Sequence, residues 1–190
     1  MVMEKEYTLV ILAGLGDSGP EHWQYHWLKH FSNAIKVEHD SWDRPHVTHW
    51  LARLNETMTK LNKPVIFVAH SLAVSLVMHW VKHNPDITQI AGAFLVAPAD
   101  VDSADHTPEE IRNFSPMPLE RLPFPSVVVA SENDTYISLQ RAAFFAQQWG
   151  SDFISVGQRD HIGTVAKLGL WQEGLDLFAD FFQRRVVSQR

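Results

Sequence analysis

A serine, a carboxylate and a histidine occur along the chain in an order that suits nucleophilic catalysis. Ser71 follows the apolar run 64–69, and alanines at 69 and 73 stand two positions before and after it. A strand that turns sharply into a helix at a serine is the nucleophile elbow, whose G-x-S-x-G pattern needs small residues at those two places. A serine after a strand is also a common helix cap, so this interpretation depends on suitable partners.

Those partners follow two later apolar runs. Asp134 comes after the run 126–130, and His161 comes after the run 153–156. The order serine, acid, histidine is the order of hydrolases that carry an elbow. We predict that His161 removes the Ser71 proton and that Asp134 holds the imidazole tautomer, which makes acyl transfer to water the expected reaction.

The same reaction needs donors for the oxyanion that forms during attack. The backbone N–H of Leu72 would supply one, because it begins a helix, and that of Leu15, in the loop after the first strand, would supply the other. Glu132 is the second candidate for the acid. Further residues predicted to border a substrate pocket are Gly14, Gly16, Trp42, His70 and Trp171.

The glycine-rich loop after the first strand allows another interpretation. Gly14, Gly16 and Gly19 fit the dinucleotide fingerprint G-x-G-x-x-G, and Glu38 and Asp40 lie near the distance expected for its ribose-binding acid. The loop lacks the Lys-Ser/Thr of a P-loop. Dinucleotide binding therefore stays open as an alternative, which a thermal shift with NAD or FAD would reveal.

Repeated histidines could hold a metal ion. His22, His26 and His30 recur every four residues on one predicted helix, as do His79 and His83 on another. No Glu completes an H-E-x-x-H motif, and the chain has no cysteine to serve as a ligand. The histidines are interpreted as polar helix faces, and we predict neither a metal nor another cofactor.

The elements that must position these groups alternate between strands and helices. Strands are predicted at 8–12, 35–39, 64–69, 91–96, 126–130 and 153–156, and helices at 45–61, 72–83, 139–149 and 171–185, with a further helix starting at a capping box in 18–21. This alternation predicts one α/β domain over 1–190, with a parallel sheet of about six strands and helices on both faces. The connection 98–125, which is rich in proline, would either shape a pocket or be an irregular crossover.

Composition narrows the partners and the location. The chain has 190 residues, 16 Lys and Arg against 22 Asp and Glu, and a net charge of -6, which disfavours nucleic acid. Without cysteine, the nucleophile cannot be a thiol. The uncharged run 65–81 contains histidines and serines and is interpreted as a strand and a helix rather than a membrane span, and the charged residues near position 1 disfavour a secretory signal. A cytoplasmic protein is expected.

Several motifs resemble the RBBP9/YdeN family of small serine hydrolases. The matching segments are Gly14-Leu15, Asp17-Ser18-Gly19-Pro20-Glu21-His22-Trp23, Asp40-Ser41-Trp42, Pro45, Ala69-His70-Ser71-Leu72, Asn133-Asp134 and Asp160-His161-Ile162-Gly163. The resemblance covers nearly the whole chain. It implies an α/β-hydrolase fold without a cap domain, a triad of Ser71, Asp134 and His161, and no cofactor. Ala73 stands where the family usually has glycine, and Ala13 where many α/β-hydrolases have a histidine.

The sequence therefore predicts a serine hydrolase with esterase-like chemistry on a small acyl substrate. Without a cap, the site should be open and shallow. The alternative is a non-catalytic binding protein that keeps the hydrolase fold and uses its pocket or tryptophan-rich surface for a partner. Ester, thioester and amide substrates fit the prediction equally, and no pattern indicates an oligomeric state.

Overall fold

Strands and helices alternate along the chain in a computed structural model that describes residues 2–84 and 86–188. The strands are β1 (Thr8–Leu12), β2 (Ala34–Lys36), β3 (Val65–His70), β4 (Ile90–Val96), β5 (Ser126–Ala130) and β6 (Asp152–Ser155). The α-helices are α1 (Val2–Glu6), α2 (Trp23–His30), α3 (Val47–Met58), α4 (Leu72–His83), α5 (Leu139–Trp149) and α6 (Gln172–Phe181). Short 3-10 helices cover Glu109–Phe114 and Thr164–Ala166, and a π-helix, Phe182–Val187, continues α6.

The strands form one parallel sheet in the order β2-β1-β3-β4-β5-β6. The chain moves from β1 outward to β2 and then returns to β3 on the other side of β1. Ligands of such sheets bind at the carboxyl ends of the strands where this reversal occurs. The predicted α/β architecture with about six strands is confirmed, and the reversal places the ends of β1 and β3 side by side.

Both faces of the sheet are covered, because alternate residues of each strand face opposite sides. Val10 of β1 belongs to a core with Trp50, formed with α3, α4 and α5. Leu9, its neighbour, belongs to a second core with Trp27, formed with α1, α2 and α6. The inner strands are buried on both faces and therefore need continuous apolar runs, whereas the edge strands β2 and β6 are partly exposed.

Helix α2 begins later than predicted, and the capping box in 18–21 is not formed. The Ser18 hydroxyl donates instead to Gln24 Oε1 at 2.7 Å. His22 caps the helix, because its Nδ1 accepts from the Gln24 amide at 3.1 Å. The Gln24 side-chain amide then donates to the carbonyl oxygens of Leu12 (3.0 Å) and Val68 (3.1 Å), which joins the cap to the ends of β1 and β3.

The long connection between β4 and β5 is a packed crossover. Its residues Ile111 and Phe114 are buried in the core of the α3 face. Asp100 accepts from Arg141 Nε of α5 at 3.1 Å, and Asp102 accepts from the Met117 amide at 3.0 Å. Within the described residues, this connection holds a single 3-10 helix and no cap domain.

Trp171 is buried beneath α6, although the sequence suggested that it borders the pocket. Gly174 makes room for its ring, since a Cβ at position 174 would lie 2.1 Å from Trp171 Cε3. The Trp171 ring packs 5.1 Å from that of Trp23. Trp23 Nε1 in turn donates to the Ile162 carbonyl at 2.8 Å, so this stack supports the loop after β6.

A methyl group at position 174 should therefore destabilise the protein. We expect Gly174→Ala to lower the free energy of unfolding by about 1–3 kcal/mol through overpacking, although alanine is favoured over glycine inside helices by about 1 kcal/mol. Urea unfolding measures the change. Gly19→Ala is the control, because nothing lies within 4 Å of its added Cβ. Equal midpoints for Gly174→Ala and the wild type would contradict this account.

Candidate active site

Ser71 occupies a strained turn between β3 and α4. Its backbone has φ 60° and ψ -124°, a conformation that side chains disfavour and that clusters at functional sites. The Ser71 amide donates to the Val96 carbonyl at 3.0 Å, and its carbonyl accepts from the Val74 amide at 3.0 Å. Ala73 is buried within α4 beside this turn. The elbow geometry therefore forms with alanine at position 73.

The loop after β1 lies directly against this turn. A Cβ added to Gly14 would lie 2.9 Å from Ser71 Cβ and 3.3 Å from the Leu72 amide nitrogen. Only glycine permits so close an approach. Glu38 and Asp40, the ribose-binding candidates, form ion pairs with Lys36 and Arg53. The loop thus packs against the elbow, which leaves the dinucleotide alternative without structural support.

The backbone N–H of Leu15 stays the candidate to act with that of Leu72, because the next two amides of the loop are engaged elsewhere. The amides of Gly16 and Asp17 donate to the carbonyl oxygens of Trp42 (3.0 Å) and Gly14 (3.1 Å), respectively. Leu15 precedes both and lines the same cavity as Ser71. Leu72 is the first residue of α4, so its amide has no partner within the helix. The oxyanion roles of these two amides stay predictions.

The imidazole of His161 lies between the predicted nucleophile and the predicted acid. Its Nε2 is 2.7 Å from Ser71 Oγ, and its Nδ1 is 2.8 Å and 2.9 Å from the two carboxylate oxygens of Asp134. The Asp134 side chain is fully buried and also accepts from the Tyr136 amide at 2.8 Å. With a proton on Nδ1, the imidazole can accept the Ser71 proton at Nε2.

Glu132, the rival acid, lies elsewhere. Its side chain is exposed, and Oε1 accepts from the Ser155 hydroxyl at 3.2 Å on β6. Asp134 is therefore the carboxylate in contact with the imidazole.

The loop that carries His161 is strained and is held by side chains from other elements. Asp160 and Ile162, on either side of the histidine, have positive φ values of 48° and 49°. The His161 carbonyl is 2.8 Å from His70 Nε2, and the Ile162 carbonyl accepts from Trp23 Nε1 at 2.8 Å. Such strain persists only where the surroundings fix the conformation.

Asn133 joins this loop to the loop that carries the acid. Its Oδ1 accepts from the Asp160 amide at 2.8 Å, and its Nδ2 donates to Asp160 Oδ1 at 3.0 Å. A second bridge runs beside it, from the Arg159 amide to the Ser131 hydroxyl at 2.8 Å. Because Asn133 directly precedes Asp134, its two hydrogen bonds to Asp160 fix the Asp134 carboxylate relative to the His161 imidazole.

A cavity of about 210 Å³ opens at Ser71 and His161. It is lined by loops that follow β1, β3, β5 and β6, including Leu15, Tyr136 and Val165. The Tyr136 ring lies 4.3 Å from the His161 ring. Pockets for drug-sized ligands usually measure about 300–1,000 Å³, so this cavity suits a smaller group.

The structure corrects part of the predicted pocket. Gly14 and His70 line the cavity, whereas Gly16, Trp42 and Trp171 are not among its lining residues. The Trp42 ring packs 5.7 Å from that of Trp50, in the core of the α3 face. The proline-rich connection does not border the cavity either.

His22 borders the cavity, although its spacing in the sequence indicated a polar helix face. Its ring lies 4.7 Å from that of His70. Burial, with a smaller effect of the nearby His161, lowers the pKa of His22 to about 4. Burial and the neighbouring His22 also lower the pKa of His70 well below its usual value. Both rings are therefore neutral near pH 7.

Within residues 2–84 and 86–188, no group of three or more histidine, aspartate or glutamate side chains is placed to hold a metal ion. None of the helices described there is long and apolar enough to span a lipid bilayer.

Comparisons with known proteins agree with the α/β fold. The profile of a family described as serine hydrolase matches residues 9–180. A YdeN-like hydrolase from Pectobacterium atrosepticum, as its structure is described, is 30% identical over 96% of this chain and 94% of that chain, with a TM-score of 0.84. The ydeN gene product of B. subtilis is 17% identical over 94% of this chain and 100% of that chain, with a TM-score of 0.76. Est1E from Butyrivibrio proteoclasticus is 12% identical over 94% of this chain and 90% of that chain, with a TM-score of 0.69. A search of curated proteins gives no match.

The sheet, the elbow and these relatives define the protein as an α/β-hydrolase. The chain belongs to the YdeN-like serine hydrolase family, as its motifs indicated. It is therefore an enzyme of the hydrolase class, and the two relatives of lower identity add support for the fold alone.

The bridge formed by Asn133 should matter for turnover. We expect Asn133→Ala to lower kcat for p-nitrophenyl acetate by about tenfold to a hundredfold, because small displacements of reacting groups are costly. Asp160→Asn is the matched control, since it keeps a carbonyl oxygen that can accept from Asn133 Nδ2. Thermal unfolding shows whether each variant is folded. A folded Asn133→Ala protein with unchanged kcat would exclude this positioning role.

Proposed function

We propose that the protein hydrolyses small acyl esters through an acyl-enzyme formed on Ser71. The observation that carries this proposal is the chain of contacts from Ser71 Oγ through His161 to the buried Asp134, beside a small cavity. Membership in a serine hydrolase family supports the reaction class.

In the first half of the reaction, Ser71 Oγ attacks the ester carbonyl carbon while His161 Nε2 takes its proton. The carbonyl electron pair moves to oxygen, where the amides of Leu72 and Leu15 donate hydrogen bonds. Asp134 stabilises the imidazolium. As the tetrahedral intermediate collapses, the bond to the alcohol oxygen breaks and His161 returns the proton to that oxygen. The products of this half-reaction are the free alcohol and acyl-Ser71.

In the second half, water replaces the alcohol. His161 removes one proton from the water as its oxygen attacks the acyl carbon, and the same two amides stabilise the second oxyanion. Collapse breaks the bond to Ser71 Oγ, which recovers its proton from the imidazolium, and the carboxylic acid leaves. The proposed cycle uses the side chains of the triad, the two backbone amides and water, and it requires no cofactor.

The size of the cavity sets the proposed substrate class. About 210 Å³, with Leu15 and Val165 at its border, fits short acyl chains better than long ones. We therefore propose a small-molecule acyl ester, rather than nucleic acid or a membrane lipid, as the substrate. The cytoplasmic location stays a prediction of the sequence.

A fluorophosphonate probe tests the nucleophile. Wild-type protein should form a covalent adduct, and Ser71→Ala should form none, because only an activated serine reacts readily with such probes. Ser75→Ala is the control, as Ser75 lies one turn further along α4 and is buried. Intact mass spectrometry measures the adducts. Equal labelling of wild type and Ser71→Ala would remove Ser71 from this role, and no labelling of the wild type would favour the non-catalytic binding protein.

The acid is tested by changing its charge and keeping its shape. Asp134→Asn should lower kcat for p-nitrophenyl acetate by about 10³–10⁴, because the amide no longer fixes the productive tautomer or stabilises the imidazolium. Glu132→Gln should keep wild-type turnover. Circular dichroism reports whether both variants are folded. The reverse pattern of activities would transfer the acid role to Glu132.

A further inference from the structure

His22 presents a buried donor that forms no hydrogen bond with any residue in the described part of the chain. Its side chain caps α2 by accepting from the Gln24 amide at Nδ1, at 3.1 Å, which places the ring proton of the neutral imidazole on Nε2. The residue is only 4% exposed. The atom Nε2 is itself buried, and no described residue accepts a hydrogen bond from it. A buried N–H without an acceptor is unfavourable, so this donor points to a ligand.

The unpartnered nitrogen lies beside Gly163, in the lining of the cavity. A Cβ added to Gly163 would be 3.7 Å from His22 Nε2 and 3.5 Å from His70 Cε1. Gly163, His22 and His70 all line the cavity that contains Ser71. Because residue 163 has no side chain, space remains in front of both imidazoles.

The charges around this space favour an uncharged ligand group. Asp17 also lines the cavity, and its carboxylate is paired with Lys36 at 2.7 Å. His22 itself is neutral at pH 7, so it offers a dipole rather than a positive charge. No lysine or arginine is among the described residues that line the cavity, so an anionic group would meet the carboxylate of Asp17 without a cation of the lining to compensate. An ether, carbonyl or hydroxyl oxygen fits this site better than a carboxylate does.

We propose that His22 is a substrate-recognition residue whose Nε2–H donates to an uncharged oxygen near the scissile ester bond. The inference rests on the proposed function, and it narrows the substrates to esters that carry a further uncharged oxygen near the ester group. The oxygen can belong to the acyl group or to the alcohol, since both extend from the carbon that Ser71 attacks. The chemistry of recognition is the same in either case.

Two pairs of substrates of matched shape separate these sources. For the acyl group, p-nitrophenyl methoxyacetate is compared with p-nitrophenyl butyrate; for the alcohol, 2-methoxyethyl butyrate is compared with butyl butyrate. Each pair replaces one methylene group by an ether oxygen. The measured quantity is the ratio of kcat/KM for the ether ester to that for its partner. Dividing each variant's ratio by the wild-type ratio removes the difference in intrinsic reactivity.

Two variants disrupt the proposed contact in different ways. His22→Asn keeps a side-chain oxygen that can cap α2 but has no Nε2–H. Gly163→Ala leaves His22 in place and adds a methyl group 3.7 Å from its Nε2, an ordinary contact distance. Position 163 has an extended backbone, with φ -123° and ψ -150°, which accepts alanine. His26→Asn makes the same substitution at a position of α2 that does not line the cavity.

In one pair of substrates, we expect the ratio to fall about fivefold in both His22→Asn and Gly163→Ala, and to stay unchanged in His26→Asn. The pair that responds shows whether the oxygen is on the acyl group or the alcohol. If neither pair responds in Gly163→Ala or in folded His22→Asn, the proposal is overturned.

A binding measurement separates this inference from the proposed function. In Ser71→Ala, nitrogen-15 spectra of the imidazoles should show His22 protonated at Nε2, and its signals should shift with the ether ester of the responsive pair but not with the all-carbon ester. If wild-type protein has no Ser71-dependent turnover, the proposed function fails, and both ether esters are then titrated into Ser71→Ala. If neither ester shifts the nitrogen-15 signals of His22, the recognition role is overturned as well.

Discussion

The buried carboxylate of Asp134 constrains the site more than any other group does. A charge removed from water needs hydrogen-bond donors, and Asp134 has the Nδ1 proton of His161 and the amide of Tyr136. The same contacts leave one orientation for the imidazole, with Nε2 towards Ser71 Oγ. Satisfying the carboxylate therefore also aligns the proposed base with the proposed nucleophile.

This alignment depends on loops that have little regular structure of their own. Asn133 ties the acid loop to the histidine loop, and the indole of Trp23 holds the far side of the histidine loop. Trp23 is placed by α2. Gln24 holds the start of this helix against β1 and β3 through two hydrogen bonds. Gly174 lets Trp171 pack behind the indole. Helix α2 thus contributes to the geometry of a site whose proposed reacting groups all lie elsewhere in the chain.

The apolar runs of the sequence located the strands, and the structure brings the three proposed reacting groups, Ser71, Asp134 and His161, into contact. Parallel strands are apolar on both faces, so the run before Ser71 was visible without a structure, and the order of Asp134 and His161 followed from the strand ends. The start of α2 was not predictable, because Ser18 has the residue type of a cap but its hydroxyl bonds to Gln24. Trp171 was misplaced because the room for its ring is made by Gly174. Local sequence patterns identify helices and strands, whereas the start of α2 and the position of Trp171 depend on contacts with residues elsewhere in the fold.

Trapping the acyl-enzyme tests the central claim most directly. Wild-type protein is mixed with an excess of p-nitrophenyl butyrate, quenched in acid within milliseconds, digested and analysed by mass spectrometry. The account predicts a butyryl group on the peptide that contains Ser71. The labelled fraction should be larger in Asp134→Asn when that substitution slows deacylation more than acylation. Ser71→Ala should carry no butyryl group. Turnover by wild-type protein with the butyryl group on another residue, or undiminished turnover by Ser71→Ala, would contradict it.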